Sequence, residues 1–288
     1  MNAHVTVGYD GTSDARAAVM WAASEALARQ VPLRVVSCYT IPYVGEPLAG
    51  VAVAELHDAA RLSSEQALES IYVELGHTHP DLKVTTLNVT GPTVANLVSE
   101  VGANDLLVVG SSRRHGAAAF WLGSTPRGAV RRSPCPVVVV HGAGGTQRPS
   151  SIVVGVDGSP ASDDALRWAC DEADLHGAEL TVVHAWDYPY ATVDFDDSQA
   201  RDVMRVDAAR VLEASVASAR DRTGGAVTDV LFEGGAANGL LQTARDGDLV
   251  VLGSRGRGAV AAGLFGSTAN AVLERASTPV AVVRHQAE

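Results

Sequence analysis

The chain has 288 residues, 47% of them hydrophobic, a net charge of −11 at pH 7 and three cysteines. That length suits two domains of ordinary size, and that apolar content excludes a disordered chain. No apolar run approaches the roughly 18 residues that span a bilayer, so a membrane protein of helical type is excluded.

The acidity is uneven. Residues 1–149 hold 11 Lys+Arg and 12 Asp+Glu, a net of −1, whereas residues 150–288 hold 11 and 21, a net of −10. Asp187, Asp194, Asp196, Asp197, Asp202 and Asp207 make up much of the excess. A solvated acidic face is the ordinary reading of such a run, and it argues against general nucleic-acid or anionic-membrane binding. Cys38, Cys135 and Cys170 are scattered in apolar context without C-x-x-C spacing, which reads as buried free thiols in a reducing compartment. Met1-Asn2-Ala3-His4-Val5 runs straight into a strand pattern, leaving no room for a signal peptide. The expected location is the cytoplasm.

In chain order, short β-branched runs predict strands at Val5–Gly8, Leu33–Cys38, Val84–Val89, Leu106–Val109 and Val137–Val140. Helical stretches are predicted between them at Asp14–Arg29, about Val53–Gly76, Val94–Val101 and Gly116–Arg132. The pattern then begins again. Val5-Thr6-Val7-Gly8-Tyr9-Asp10-Gly11-Thr12 returns as Ile152-Val153-Val154-Gly155-Val156-Asp157-Gly158-Ser159, and Trp21 falls on Trp168, at an offset of 147. Gly110-Ser111 returns as Gly253-Ser254, and Gly123-Ser124-Thr125 as Gly266-Ser267-Thr268, at an offset of 143. The second set of strands is expected near Ile152, Leu180, Val227, Leu249 and Val280. One unit is therefore duplicated, and a period this long means tandem domains, not a solenoid.

Strand–helix alternation with wholly apolar strands predicts an α/β fold: two doubly wound domains whose parallel sheets carry helices on both faces. Expected bounds are 1–143 and 150–288, joined by the Gly-rich linker 144–149. Ser159 reads as a helix N-cap with Pro160 at the first helical position, and Ser124-Thr125-Pro126 reads the same way. Pro134, Pro136 and Pro279 are expected to end the last helix of each copy and launch the final strand.

The chemistry concentrates in two stretches of each copy. Gly253-Ser254-Arg255-Gly256, nine residues before Gly266-Ser267-Thr268, follows an apolar strand and precedes a helix. Two glycines there allow close backbone approach or positive φ, and a helix N-terminus at Gly266 offers free N–H groups to an anion. In doubly wound sheets ligands bind beyond the carboxyl ends of the strands, where Asp10 and Asp157 also fall. Either aspartate can accept from a ribose hydroxyl or help hold a cation near phosphates; the bland alternative is an aspartate that caps the following helix. The loop is not a Walker A motif, since no Gly-Lys-Ser/Thr occurs and Lys83 is the only lysine. Gly8-x-x-Gly11 is not a dinucleotide fingerprint, and no G-x-S-x-G elbow accompanies His184. His184 reads as a packed strand-end residue, His77 and His79 lack partners at metal spacing, and Trp21 and Trp168 read as core.

These motifs resemble the universal stress protein family. Gly253-x-x-Gly256, nine residues and Gly266-Ser267 match its ATP-binding signature; the opening V-G-x-D-G-S/T, the D-L-V-V-L-G-S-R-G-R-G block and the closing T-P-V-A-V-V are similar too. The likeness covers nearly the whole chain, in the tandem form common in actinobacteria. It implies five-stranded sheets of order 3-2-1-4-5, ATP (with Mg²⁺ at its phosphates) bound without strong turnover, and dimers. Carried over by position, Asp157, with Gly158 beside it, and the backbone around Ala185 would meet ribose and adenine. Gly253, Gly256, Gly266, Ser267 and Thr268 would hold the phosphates. The corresponding first-copy residues are Asp10, Gly11, Cys38, Gly110, Gly123, Ser124 and Thr125. There the signature is broken, because Arg113 stands where Gly256 does, with Arg114 beside it. A positive φ at Arg113 would be strained and its side chain would fill phosphate space, although its charge suits a phosphate. The dimer expectation also rests on the last strands, Pro136–His141 and Pro279–His285, at sheet edges in that order; the two edges of one chain are the alternative pair. An ATP-binding regulatory module with an unnamed protein partner is the leading reading, a slow ATPase or other nucleotide-dependent enzyme of the same fold the second, and a structural partner-binding protein with empty pockets the third.

Overall fold

The computed structural model describes residues 3–40, 50–111, 122–142, 148–188, 198–246, 248–256 and 266–285. Outside them lie Arg113 and Arg114, the expected helix start at Gly116, linker residues 144–147, and Asp194, Asp196 and Asp197. The chain divides into two compact units, Met1–Arg148 and Pro149–Glu288.

The first unit runs β1 (Val5–Gly8), α1 (Ser13–Ala28), β2 (Leu33–Tyr39), α2 (Gly50–Thr78), β3 (Val84–Thr90), α3 (Thr93–Ser99), β4 (Leu106–Gly110), α4 (Ser124–Arg132) and β5 (Val137–Val140). Its strands are parallel in the order β3-β2-β1-β4-β5. Val5 of β1 pairs with Leu33 on one side and Leu106 on the other, so strand order reverses at β1. The second unit repeats this with β6 (Ser151–Val156), α5 (Pro160–His176), β7 (Glu179–Trp186), α6 (Ser198–Arg220), β8 (Val227–Glu233), α7 (Ala236–Thr243), β9 (Leu249–Gly253), α8 (Ser267–Arg275) and β10 (Val280–Val283). Its order is β8-β7-β6-β9-β10. The expected doubly wound fold and the 3-2-1-4-5 order are what each unit shows.

Burial explains why the strands lack polar alternation. Val5, Val7, Leu107 and Val108 are fully buried in the first unit, as are Val154, Val250 and Val251 in the second, because helices cover both faces of each sheet. Trp21 is 3% exposed and belongs to the core; Trp168, its counterpart, is only half-buried. Cys135 and Cys170 are buried free thiols, while Cys38 is half-buried.

Local signals set the helix starts. Thr12 caps α1 by accepting from the Ala15 N–H at 3.2 Å, and Ser159 caps α5 by accepting from the Ser162 N–H at 3.3 Å, with Pro160 following. Ser124 differs from expectation. Gly123 occupies the cap position of α4 without a side chain to bond the first turn, and Ser124 is already helical.

Candidate functional site

The site builds from the carboxyl ends of β1 and β4, which part where the strand order reverses. Gly8 keeps the end of β1 close to α3, since a Cβ there would stand 3.1 Å from Leu97 Cδ1. Gly155 and Leu240 repeat the contact at 3.0 Å. Beyond each strand the chain turns through an aspartate. Asp10 Oδ1 accepts from the Thr12 N–H at 3.1 Å and from its hydroxyl at 2.6 Å. Asp157 Oδ1 accepts from the Ser159 N–H at 3.0 Å. Gly11 (φ +80°) and Gly158 (φ +71°) take the left-handed conformation that closes these turns. The aspartates therefore pin the turns through Oδ1, and the caps of α1 and α5 belong to Thr12 and Ser159.

At the neighbouring strand end, a Cβ on Gly110 would stand 2.8 Å from the Asp14 carbonyl oxygen, and one on Gly253 2.6 Å from that of Ala161. Both glycines let the strand end rest on the first helical turn after β1 or β6. The loops leave from a fixed point, because the Ser111 N–H donates to Val140 O (2.9 Å) and the Ser254 N–H to Val283 O (2.8 Å). Gly256 then comes so near Asp157 that a Cβ would overlap Oδ2. Neither Gly253, Gly256 nor Gly266 has positive φ. Of the two expected uses of these glycines, close approach and positive φ, only the first applies: the constraint at Gly256 is space beside a carboxylate, which any side chain there would meet.

The loop returns to α8. The Gly266 N–H donates to Ser254 O at 3.1 Å, and Gly266 caps the helix with no side-chain bond. Ser267, Thr268 and Ala269 then supply first-turn N–H groups at the positive end of a nine-residue helix. The first copy differs in one atom group, since Pro126 stands where Ala269 does and has no N–H to offer.

In the first unit a cleft of about 150 Å³ brings together Asp10, Cys38, Gly110, Gly123, Ser124 and Thr125, six of its seven nominated residues. Gly11 shapes the adjoining turn. Thr93 and Leu97 of α3 line the same cleft and were not nominated; their only sequence signal was the Gly91-Pro92 turn before them. Cys38 receives a long contact from Asn96 Nδ2 at 3.8 Å, while the same amide donates to Thr90 O at 3.2 Å. Burial pushes the Cys38 thiol above its ordinary range.

The equivalent end of the second unit is built differently. Ala185 pairs with Phe232, whose ring packs on Gly239 so closely that a Cβ there would stand 2.9 Å from Phe232 Cδ1. An aromatic ring and a glycine thus replace Val89 and Asn96 of the first copy. His184, buried on the neighbouring position, donates from Nδ1 to Val156 O at 2.7 Å, the packed role expected of it. His77 and His79 bond to Val73 O and Thr78 within their own turn.

Comparisons with known proteins bear on the family and the fold. The model of the universal stress protein family matches twice, over residues 1–141 and 150–284. Universal stress protein Rv2005c of Mycobacterium tuberculosis is 32% identical over 296 residues, covering 97% of this chain and 96% of that protein. Universal stress protein Rv2623 of the same organism is 31% identical, with the same coverage of both chains. A universal stress protein from Archaeoglobus fulgidus shares the fold, with a TM-score of 0.68 at 18% identity over 98% of each chain. With the family's domain present in two tandem copies, the chain belongs to the universal stress protein family.

Proposed function

We propose that the chain is an ATP-binding regulatory module of the cytoplasm, with its main site in the second domain and little or no hydrolysis. Asp157 would accept from the ribose hydroxyls, beside Gly158. The backbone around Ala185 would border the adenine. Gly253, Gly256 and the first-turn N–H groups of α8, at Ser267 and Thr268, would hold the phosphates and the Mg²⁺ that accompanies them. The observation that carries this reading is the contact of Asp157 with Gly256, which makes the sugar-binding and phosphate-binding candidates immediate neighbours.

Regulation without turnover suits the chemistry. The helix terminus and glycine loop are anion binders, and the loop's described residues include no lysine to assist phosphoryl transfer. In the first domain Asp10, Gly11, Cys38, Gly110, Gly123, Ser124 and Thr125 would form a weaker or altered site, since Pro126 removes one donor. No helix among the described residues is long and apolar enough to cross a membrane. The acidic second half would keep nucleic acid away.

Thermal unfolding with and without millimolar Mg·ATP tests the proposal. A ligand bound only by the folded state raises the midpoint by mass action. No shift would overturn it. Phosphate release of several turnovers per minute, abolished by Asp157→Ala, would favour the slow-ATPase reading instead.

A further inference from the structure

Gly239 lies inside α7, where glycine is the poorest helix former after proline. What it supplies is space, since a Cβ there would stand 2.9 Å from Cγ and Cδ1 of Phe232. Gly234, at φ +131° in the turn after β8, meets the same side of the ring, its Cβ position lying 3.1 Å from Phe232 Cε1. Two glycines thus seat one aromatic side chain. Packing alone does not account for the ring: Phe232 is only half-buried, so part of its surface stays open.

Its place in the sheet says what the open part faces. Ala185 and Phe232 are register partners on neighbouring parallel strands, so their side chains leave the same face. Cys38 and Val89 are the corresponding partners in the first unit, where Cys38 lines the cleft with Thr93 and Leu97 of α3. Phe232 therefore stands on the cleft side of its own sheet, beneath α7, the counterpart of α3. In the first unit Asn96, at the position of Gly239, sends its amide towards Thr90 O and Cys38 Sγ at that end. The second unit has Ala236 in place of Thr93 as well. The same end of the site is polar in one copy and apolar with an aromatic ring in the other.

We propose that Phe232 is the stacking platform for the base in the second domain and sets its preference for purine over pyrimidine nucleotides. The proposal rests on the ATP reading given above. A flat ring beside the backbone of Ala185 recognises a heterocycle by its face, a contact open to every base and strongest for the larger purines. Val89 and Asn96 build no such platform in the first domain, which gives the second site its advantage in affinity.

Competition binding of Mg·ATP and Mg·CTP to the full chain tests it, with Asp10→Ala in every protein to weaken the first site. The parent chain should hold ATP more tightly than CTP. Phe232→Leu, which keeps apolar bulk and removes the ring face, should weaken ATP at least about fivefold and CTP less, so the preference shrinks at least about threefold. Phe232→Tyr should keep the parent preference. The ratio is read within one protein, so a merely structural defect, which weakens both nucleotides alike, does not reproduce it. ATP held equally by the parent and Phe232→Leu, equal weakening of both nucleotides, or a parent chain without preference would each overturn the stacking role and leave the ATP reading standing. A parent chain that binds no ATP would overturn both.

Discussion

The carboxylate of Asp157 lies against Gly256, with Oδ2 occupying the space that any side chain on Gly256 would need. Asp157 belongs to the turn after β6 and Gly256 to the loop after β9, so the contact ties together the two strand ends that flank the point where strand order reverses. Gly256→Ala should push the carboxylate aside and weaken ATP binding by roughly tenfold, about 1.4 kcal/mol. Stability should change little, because the loop residue is half-exposed. Titration calorimetry and urea unfolding on the same variant check both halves.

Gly253→Ala should behave in the opposite way. Its Cβ would stand 2.6 Å from the backbone oxygen of Ala161, an atom that cannot rotate away. A loss of roughly 1–3 kcal/mol is expected, as for an overpacked site. At Gly266 the nearest atom to a new Cβ is Ser254 O at 3.5 Å and φ is −60°, so Gly266→Ala should cost under about 1 kcal/mol. Urea midpoints should rank Gly253→Ala well below Gly266→Ala. Equal losses would contradict the packing role assigned to Gly253.

The distinction between these glycines also marks how far the sequence could be read. Apolar strand runs and the duplicated V-G-x-D-G segment made the fold and the repeat legible, because periodicity and turn chemistry are local. The reason for each glycine was not local. Gly253 serves a contact with Ala161, some ninety positions away in the chain, and Gly256 a contact with Asp157. Positive φ fell at Gly11 and Gly158 instead, where the aspartate turn demands it. Asn96 and Phe232 escaped notice for the same reason: each reaches the end of β2 or β7 from another element. Gly123 displaced Ser124 as a cap because a helix can begin at a residue whose backbone, not its side chain, serves the terminus.

The buried thiols predict a pH dependence. Burial raises Cys135 and Cys170 from the ordinary 9.0 to about 11 in the folded chain. Between these values the unfolded chain releases its thiol protons while the folded chain keeps them. Stability from these groups is therefore complete below about pH 9 and is lost as pH rises towards 11. Urea midpoints should fall between pH 8.5 and 10.5, less steeply in Cys170→Ala. In native protein at pH 8, iodoacetamide should label Cys38 before either buried thiol, as thiolate access dictates.

The account stands or falls on ATP in the second domain. Isothermal titration calorimetry with Mg·ATP on the intact chain, repeated with Asp157→Ala and with Asp10→Ala, tests this directly. The expected result is saturable binding that Asp157→Ala abolishes or weakens at least about tenfold, with a smaller effect from Asp10→Ala. Absence of binding at millimolar Mg·ATP, or binding that Asp157→Ala leaves unchanged, would contradict it.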